Sequence, residues 1–80
     1  MKTQLRSAYL NDAQIDEMAR AAFNSYEMTG EWLSAMRAAQ EHAIDEFRIR
    51  PNATAVALAV KLAKVKWLAA SQAVAREVAR

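Results

Sequence analysis

NATAVALAVKLAKVKWLAASQAVAREVAR, residues 52–80, runs to the end of the chain without a glycine or a proline. Alanine, the residue with the highest helix propensity, recurs throughout it. Asn52 stands where a helix N-cap is wanted, and Pro51 turns Arg50 away from helical geometry. One helix is therefore predicted over about 53–79, in the residues that follow Asn52. Val56, Leu58, Val60 and Leu62 also alternate as a strand would, but Ala57, Ala59 and Lys61 between them are residue types depleted in strands. No turn for a partner strand follows, so the helix reading stands.

At 1.5 Å per residue such a helix spans roughly 42 Å, against roughly 27 Å for either of the other helices predicted below. Val56, Val60, Ala63, Trp67, Ala70 and Val74 recur four and three apart, as in a coiled-coil seam. Leu58, Leu62, Val65 and Ala69 form a second stripe on nearly the opposite side. Two shorter neighbours cannot cover both stripes along the full length, and a helix apolar on two sides calls for burial on both. The third helix is thus expected to lie at the centre of a homodimer or higher oligomer, or against a larger partner, with Val56, Val60, Leu62, Val65, Trp67 and Val74 as the oligomer seam.

Working outward, a first helix is predicted over about 12–28. Asn11 and Gln14 have the spacing of a capping box, and Leu10 and Ile15 that of a hydrophobic staple. Ile15, Met18, Ala19, Ala22, Phe23 and Tyr26 share one face, and Gly30 suits a left-handed C-cap. A second helix is predicted over about 31–49, with Trp32, Leu33, Met36, Ala39, Ala43, Ile44 and Phe47 sharing one face, Trp32 at its core or its rim. The fold class read from these features is all-α, a small three-helix bundle with a long C-terminal helix. Residues 1–10 allow either a short turn capped by Thr3 or an extended arm.

Eighty residues make a single domain, near the size at which one core becomes marginal. The chain has no cysteine and one histidine, His42, so no disulfide, metal or other cofactor is expected. No signal-like apolar run opens the sequence, and Lys61, Lys64 and Lys66 interrupt its most apolar stretch. A cytoplasmic protein with no membrane segment is expected.

The charge is divided unevenly. Residues 1–47 carry four basic and eight acidic side chains, a balance of −4, whereas residues 48–80 carry seven and one, a balance of +6. Such polarity suits a charged partner, or a fold in which one half neutralises the other.

Catalysis is not expected. Asp16-Glu17 and Asp45-Glu46 are neighbours whose side chains diverge by about 100° on a helix, and no serine has a base at helical spacing. His42, beside Glu41 and one turn from Glu46, reads as an exposed ion-pairing histidine. Arg48, Arg50, Lys61, Lys64, Lys66, Arg76 and Arg80 could meet phosphates. They are scattered around the helix, however, and read more simply as solubilising lysines and arginines.

The stretch Lys61-Leu62-Ala63-Lys64-Val65-Lys66-Trp67, followed by Ala73-Val74-Ala75-Arg76, loosely resembles the last helix of phage-encoded cyclic-nucleotide sponges. It covers about a quarter of the chain and lacks the acidic residues usual before the tryptophan. That likeness implies an oligomer that sequesters a small ligand; the residues themselves favour another reading. The expected function is a non-catalytic helical protein–protein interaction module. Its nearest type is a small inhibitor or adaptor of a larger protein partner, of the kind phages and mobile elements use against host machinery, such as anti-defence inhibitors. The expected contact residues are Trp67, Lys64, Arg76 and Arg80, with Asp16 and Glu17 on the acidic side. The alternative is a dimeric nucleic-acid-binding regulator that uses the basic half.

Overall fold

The computed structural model describes residues 10–78, with side chains as far as residue 74. The chain is mostly helical, and the three predicted helices are all present. The first, α1, spans Asp12–Thr29. The second consists of α2, Trp32–His42, continued by a wide π-helical turn over Ala43–Phe47. The third runs through α3, Ala53–Leu62, a second π-helical segment, Ala63–Leu68, and α4, Ala69–Val78.

Local chemistry sets the ends. The Asn11 side chain accepts from the Gln14 amide at 2.7 Å, and the Asn11 amide donates to Gln14 Oε1 at 3.0 Å, which completes the capping box. Asn52 caps α3 in the same way, accepting from the Ala55 amide at 2.8 Å. Gly30 closes α1 at φ 76°, and its amide donates to the Tyr26 carbonyl. With only Gly30 and Glu31 between them, α1 and α2 form a tight helical hairpin.

The second helix ends differently. It stops at Phe47, and Arg48 takes the left-handed conformation at φ 56°. The amides of Arg48 and Ile49 both donate to the Ala43 carbonyl, so the widened turn closes on one acceptor. A Cβ in this region of the backbone map is strained, which glycine relieves.

All three helices pack against one another, with α1 meeting both the second helix and the first two-thirds of the third. Cross-helix pairs give their directions. Glu17 meets His42 and Tyr26 meets Trp32, so α2 returns antiparallel to α1; Leu58 and Leu62 line one groove with Asp12 and Ile15 while Trp67 meets Arg20 further along, so the third helix runs with α1. The core is Ile15, Met18, Ala19, Ala22, Ala35, Ala39, Ala43, Val56, Ala59 and Ala63. Seven of these ten are alanines, so the helices meet through small side chains and their axes lie close. Met18 is the largest side chain that is fully buried.

Two sequence expectations change here. The core face of the second helix is Ala35, Ala39 and Ala43, whereas Leu33 is 65% and Met36 40% exposed. Large apolar residues pointed to a face about one position away from the alanine ladder that close packing selects. The third helix, expected to be regular, contains the wide turn Ala63–Leu68. A π turn takes up one extra residue, which sets every later side chain back by about 100°. Ala70 and Val74 therefore leave the side of Val56 and Ala63 and join that of Leu58 and Leu62.

The packing of α4 among the described residues is chiefly against the turn that precedes it, and Ala69, Ala70, Ala73 and Val74 are exposed. No described helix is long and apolar enough to cross a membrane.

Two substitutions test this architecture. Arg48→Gly is expected to raise unfolding free energy by about 0.5–1 kcal/mol, read from urea denaturation, because it removes the left-handed strain. Ala39→Leu is expected to cost about 1–3 kcal/mol by overpacking, whereas Leu33→Ala should change stability by less than about 0.5 kcal/mol. The reverse order would place the core on the Leu33 side of the helix.

Candidate functional site

Because the core is so thin, the larger aromatic residues lie at its perimeter, where they meet cations. Tyr26 at the end of α1 and Trp32 at the start of α2 stack with ring centroids 4.0 Å apart and planes 12° from parallel. The hairpin brings these positions together, and the Lys64 ammonium lies 5.0 Å from the Trp32 ring. Around the same turn, Met28 is 85% exposed, and Leu33 and Met36 stand one turn apart on α2. The stack and Lys64 thus lie on one side of the hairpin turn, while Met28, at i+2 from Tyr26, faces away from the stack and Leu33 and Met36 are exposed on the first turns of α2.

A second group forms around Trp67, which is half-buried against the core. The Arg20 guanidinium and the Lys66 ammonium lie 5.5 and 5.1 Å from its ring. Both distances suit cation–π attraction, worth about 0.5–1 kcal/mol at exposed sites. The indole Nε1 of Trp67 is buried without a hydrogen-bond partner among the described residues. Lys66 also reaches across to α1, where its ammonium donates to the Asp16 carboxylate at 2.9 Å. His42 Nε2 lies 3.3 Å from Glu17 Oε1, and its ring meets Phe47 edge-on at 5.4 Å.

Several of the expected contact residues are therefore occupied within the chain. Asp16 holds Lys66, Glu17 holds His42, and Lys64 sits over Trp32. His42 pairs across the bundle with Glu17, and no ion pair joins it to the nearby Glu41 or Glu46. The side chain of Arg76 and the whole of Arg80 lie outside the described residues, as does the reading of residues 1–9. Of the expected seam, Val56 belongs to the bundle's own core, and Leu62 and Trp67 pack against it. Val60 is half-buried, whereas Val65 and Val74 are each 61% exposed.

Sequence reasoning missed the roles of Arg20 and Lys66. Arg20 finds Trp67, and Lys66 finds Asp16, on a different helix, 50 residues away in the case of Asp16 and Lys66. The exposure of Leu33 and Met36 was missed as well, because it follows from the alanine ladder.

Two shallow grooves flank α1. One, of about 370 Å³, is lined by Glu17, Arg20, Ala21, Asn24 and His42. The other, of about 500 Å³, is lined by Asp12, Ile15, Asp16, Leu58, Leu62 and Lys66, among others. Among the described residues no group of three His, Asp or Glu side chains gathers as metal ligands would. No family model, no curated protein and no solved structure matches this chain.

The pairing of Asp16 with Lys66 is open to solvent, with side-chain exposures of 35% and 53%. A double-mutant cycle with Asp16→Asn and Lys66→Gln should return a coupling of about 0.2–1 kcal/mol that shrinks as salt is raised. A coupling indistinguishable from zero at low salt would remove this contact from the account of the site.

Proposed function

We propose that the chain is a non-catalytic helical protein–protein interaction module that self-associates through its third helix. On this reading it is a small inhibitor or adaptor for a larger protein. One observation carries the partner reading: Leu33 and Met36 stand exposed one turn apart on α2, directly after Trp32 of the Tyr26–Trp32 stack. Interface centres are enriched in aromatic residues and methionine, and the flexible methionine side chain adapts to a partner's surface. Lys64, among the contact residues expected from the sequence, adds one positive charge at this end.

The nucleic-acid alternative receives less support. Lys66 is engaged by Asp16, and Lys64 leans over an aromatic ring. Two of the described cations of the third helix are thus engaged within the chain rather than free to track phosphates.

A photo-crosslinking residue placed at Leu33 or Met36 in the producing cell tests the partner reading. A discrete adduct heavier than two copies of the chain is expected at both positions, and none at Asn24, an exposed polar position on α1. Adducts no heavier than two copies, or equal labelling at Asn24, would overturn it.

A further inference from the structure

The wide turn Ala63–Leu68 leaves one continuous apolar stripe on the outside of the third helix. Leu58, Leu62 and Val65 recur four and three apart, as along a coiled-coil seam. Beyond the turn, the setback of about 100° brings Ala70, Ala73 and Val74 onto the same side. Leu58 is 50% exposed, Val65 and Val74 are 61% exposed, and Ala70 and Ala73 are exposed too. Lys66 would place a charge on the flank of this stripe, but Asp16 draws its ammonium toward α1 at 2.9 Å.

We infer that a second copy of this chain covers the stripe, with the two third helices side by side and pointing the same way. This rests on the reading that the protein self-associates through its third helix, and it names the face, the occupant and the direction. Three observations argue for a second copy. The first is charge. The rim formed by α1 carries Asp12 and the other rim carries Lys61, and neither has an ionic partner among the described residues. A two-fold axis alongside the third helix brings Lys61 of one copy to the Asp12 rim of the other, and the reciprocal pair forms by symmetry. An antiparallel pair instead sets the two acidic rims on the same side.

The second observation is continuity. The stripe extends along α4 past the bundle, so its occupant must also project past the bundle, and only a partner of matching length covers both halves. A copy of the third helix has that length and that pattern. The third is the core itself. With seven alanines among ten buried residues, the bundle encloses little apolar volume, and chains of this size gain stability from association.

The absence of cysteine makes the test direct. Val65→Cys and Ala73→Cys, made singly and oxidised in the purified full chain, are each expected to form a covalent two-copy species, because a parallel pair brings each position to itself. Asn24→Cys is expected to form none. Without oxidation, light scattering should give twice the 8.9 kDa chain mass. Leu58→Asp should return it to 8.9 kDa with its helical circular dichroism intact, since Leu58 is half exposed in a single copy. Lys61→Asp is expected to raise the dissociation constant by on the order of fivefold, and adding Asp12→Lys to restore it.

A single-chain mass at every concentration, or linking at Asn24 as fast as at Val65, would overturn the inference. Linking at only one of positions 65 and 73 would overturn the shared direction. Heavier adducts at Leu33 and Met36 do not depend on these results, so the self-docking and the partner reading can fail separately.

Discussion

The fold depends on how closely three helices can approach through alanine. Ala19 and Ala22 on α1, Ala35, Ala39 and Ala43 on the second helix, and Ala59 and Ala63 on the third are all inaccessible to solvent. Such surfaces let helix axes approach to about 8 Å, the near end of the usual range. Dispersion contacts are then made backbone to backbone, and one added methylene has nowhere to go. The same closeness limits how much apolar area can be enclosed. Small buried side chains carry little transfer free energy, at roughly 25 cal/mol per Å², so the bundle must draw on its perimeter.

That perimeter is where the aromatic residues lie, and its composition follows from the core. Phe23, Tyr26, Trp32, Phe47 and Trp67 are too large for an alanine interface, so each packs one surface inward and leaves another at the rim. Rim rings attract cations, which places Lys64 over Trp32, and Arg20 and Lys66 beside Trp67. The uneven division of charge along the chain is partly resolved in the same layer. Asp16 and Glu17 come from the acidic half; the first meets Lys66 of the basic half, and the second meets His42. Each contact is exposed enough to contribute only modestly to stability. Their larger effect is to fix where Lys66 and the His42 ring point.

What could be read from the sequence was whatever depends on short range. Asn11 with Gln14, Gly30 and Asn52 each act within a few residues of themselves, and each forms the cap its chemistry implies. The apolar face of α1 was legible too, because Ile15 and Met18 mark it with large side chains. The face of the second helix was legible only in part. Spacing marks Ala39 and Ala43 on it but passes over Ala35 in favour of the bulkier Leu33 and Met36, which lie to one side of the alanine ladder. Neither Arg48 nor the two wide turns carries a local signal. Arg48 is no glycine, and nothing in Ala43–Phe47 or Ala63–Leu68 separates it from good α-helical sequence. The cross-helix cation–π and ion pairs were out of reach for a simpler reason, since they depend on how the helices are set against one another.

The wide turn in the third helix has the longest reach of these features. In a regular helix, Val74 would continue the line of Val56, Ala63 and Trp67, and the outward line of Leu58 and Leu62 would end in the turns after Val65 and Ala69. One additional residue taken up between Ala63 and Leu68 changes that assignment without altering the sequence. The inward line now ends near Trp67, where α1 still supplies neighbours, and the outward line continues into the projecting α4. A helix that seemed to need burial on both sides along its whole length is thereby divided. Its first two-thirds serve the bundle on one side, and Ala70, Ala73 and Val74 beyond the bundle are collected on the other. Register thus sets the division between fold and surface here, because hydrophobic composition is the same in either case.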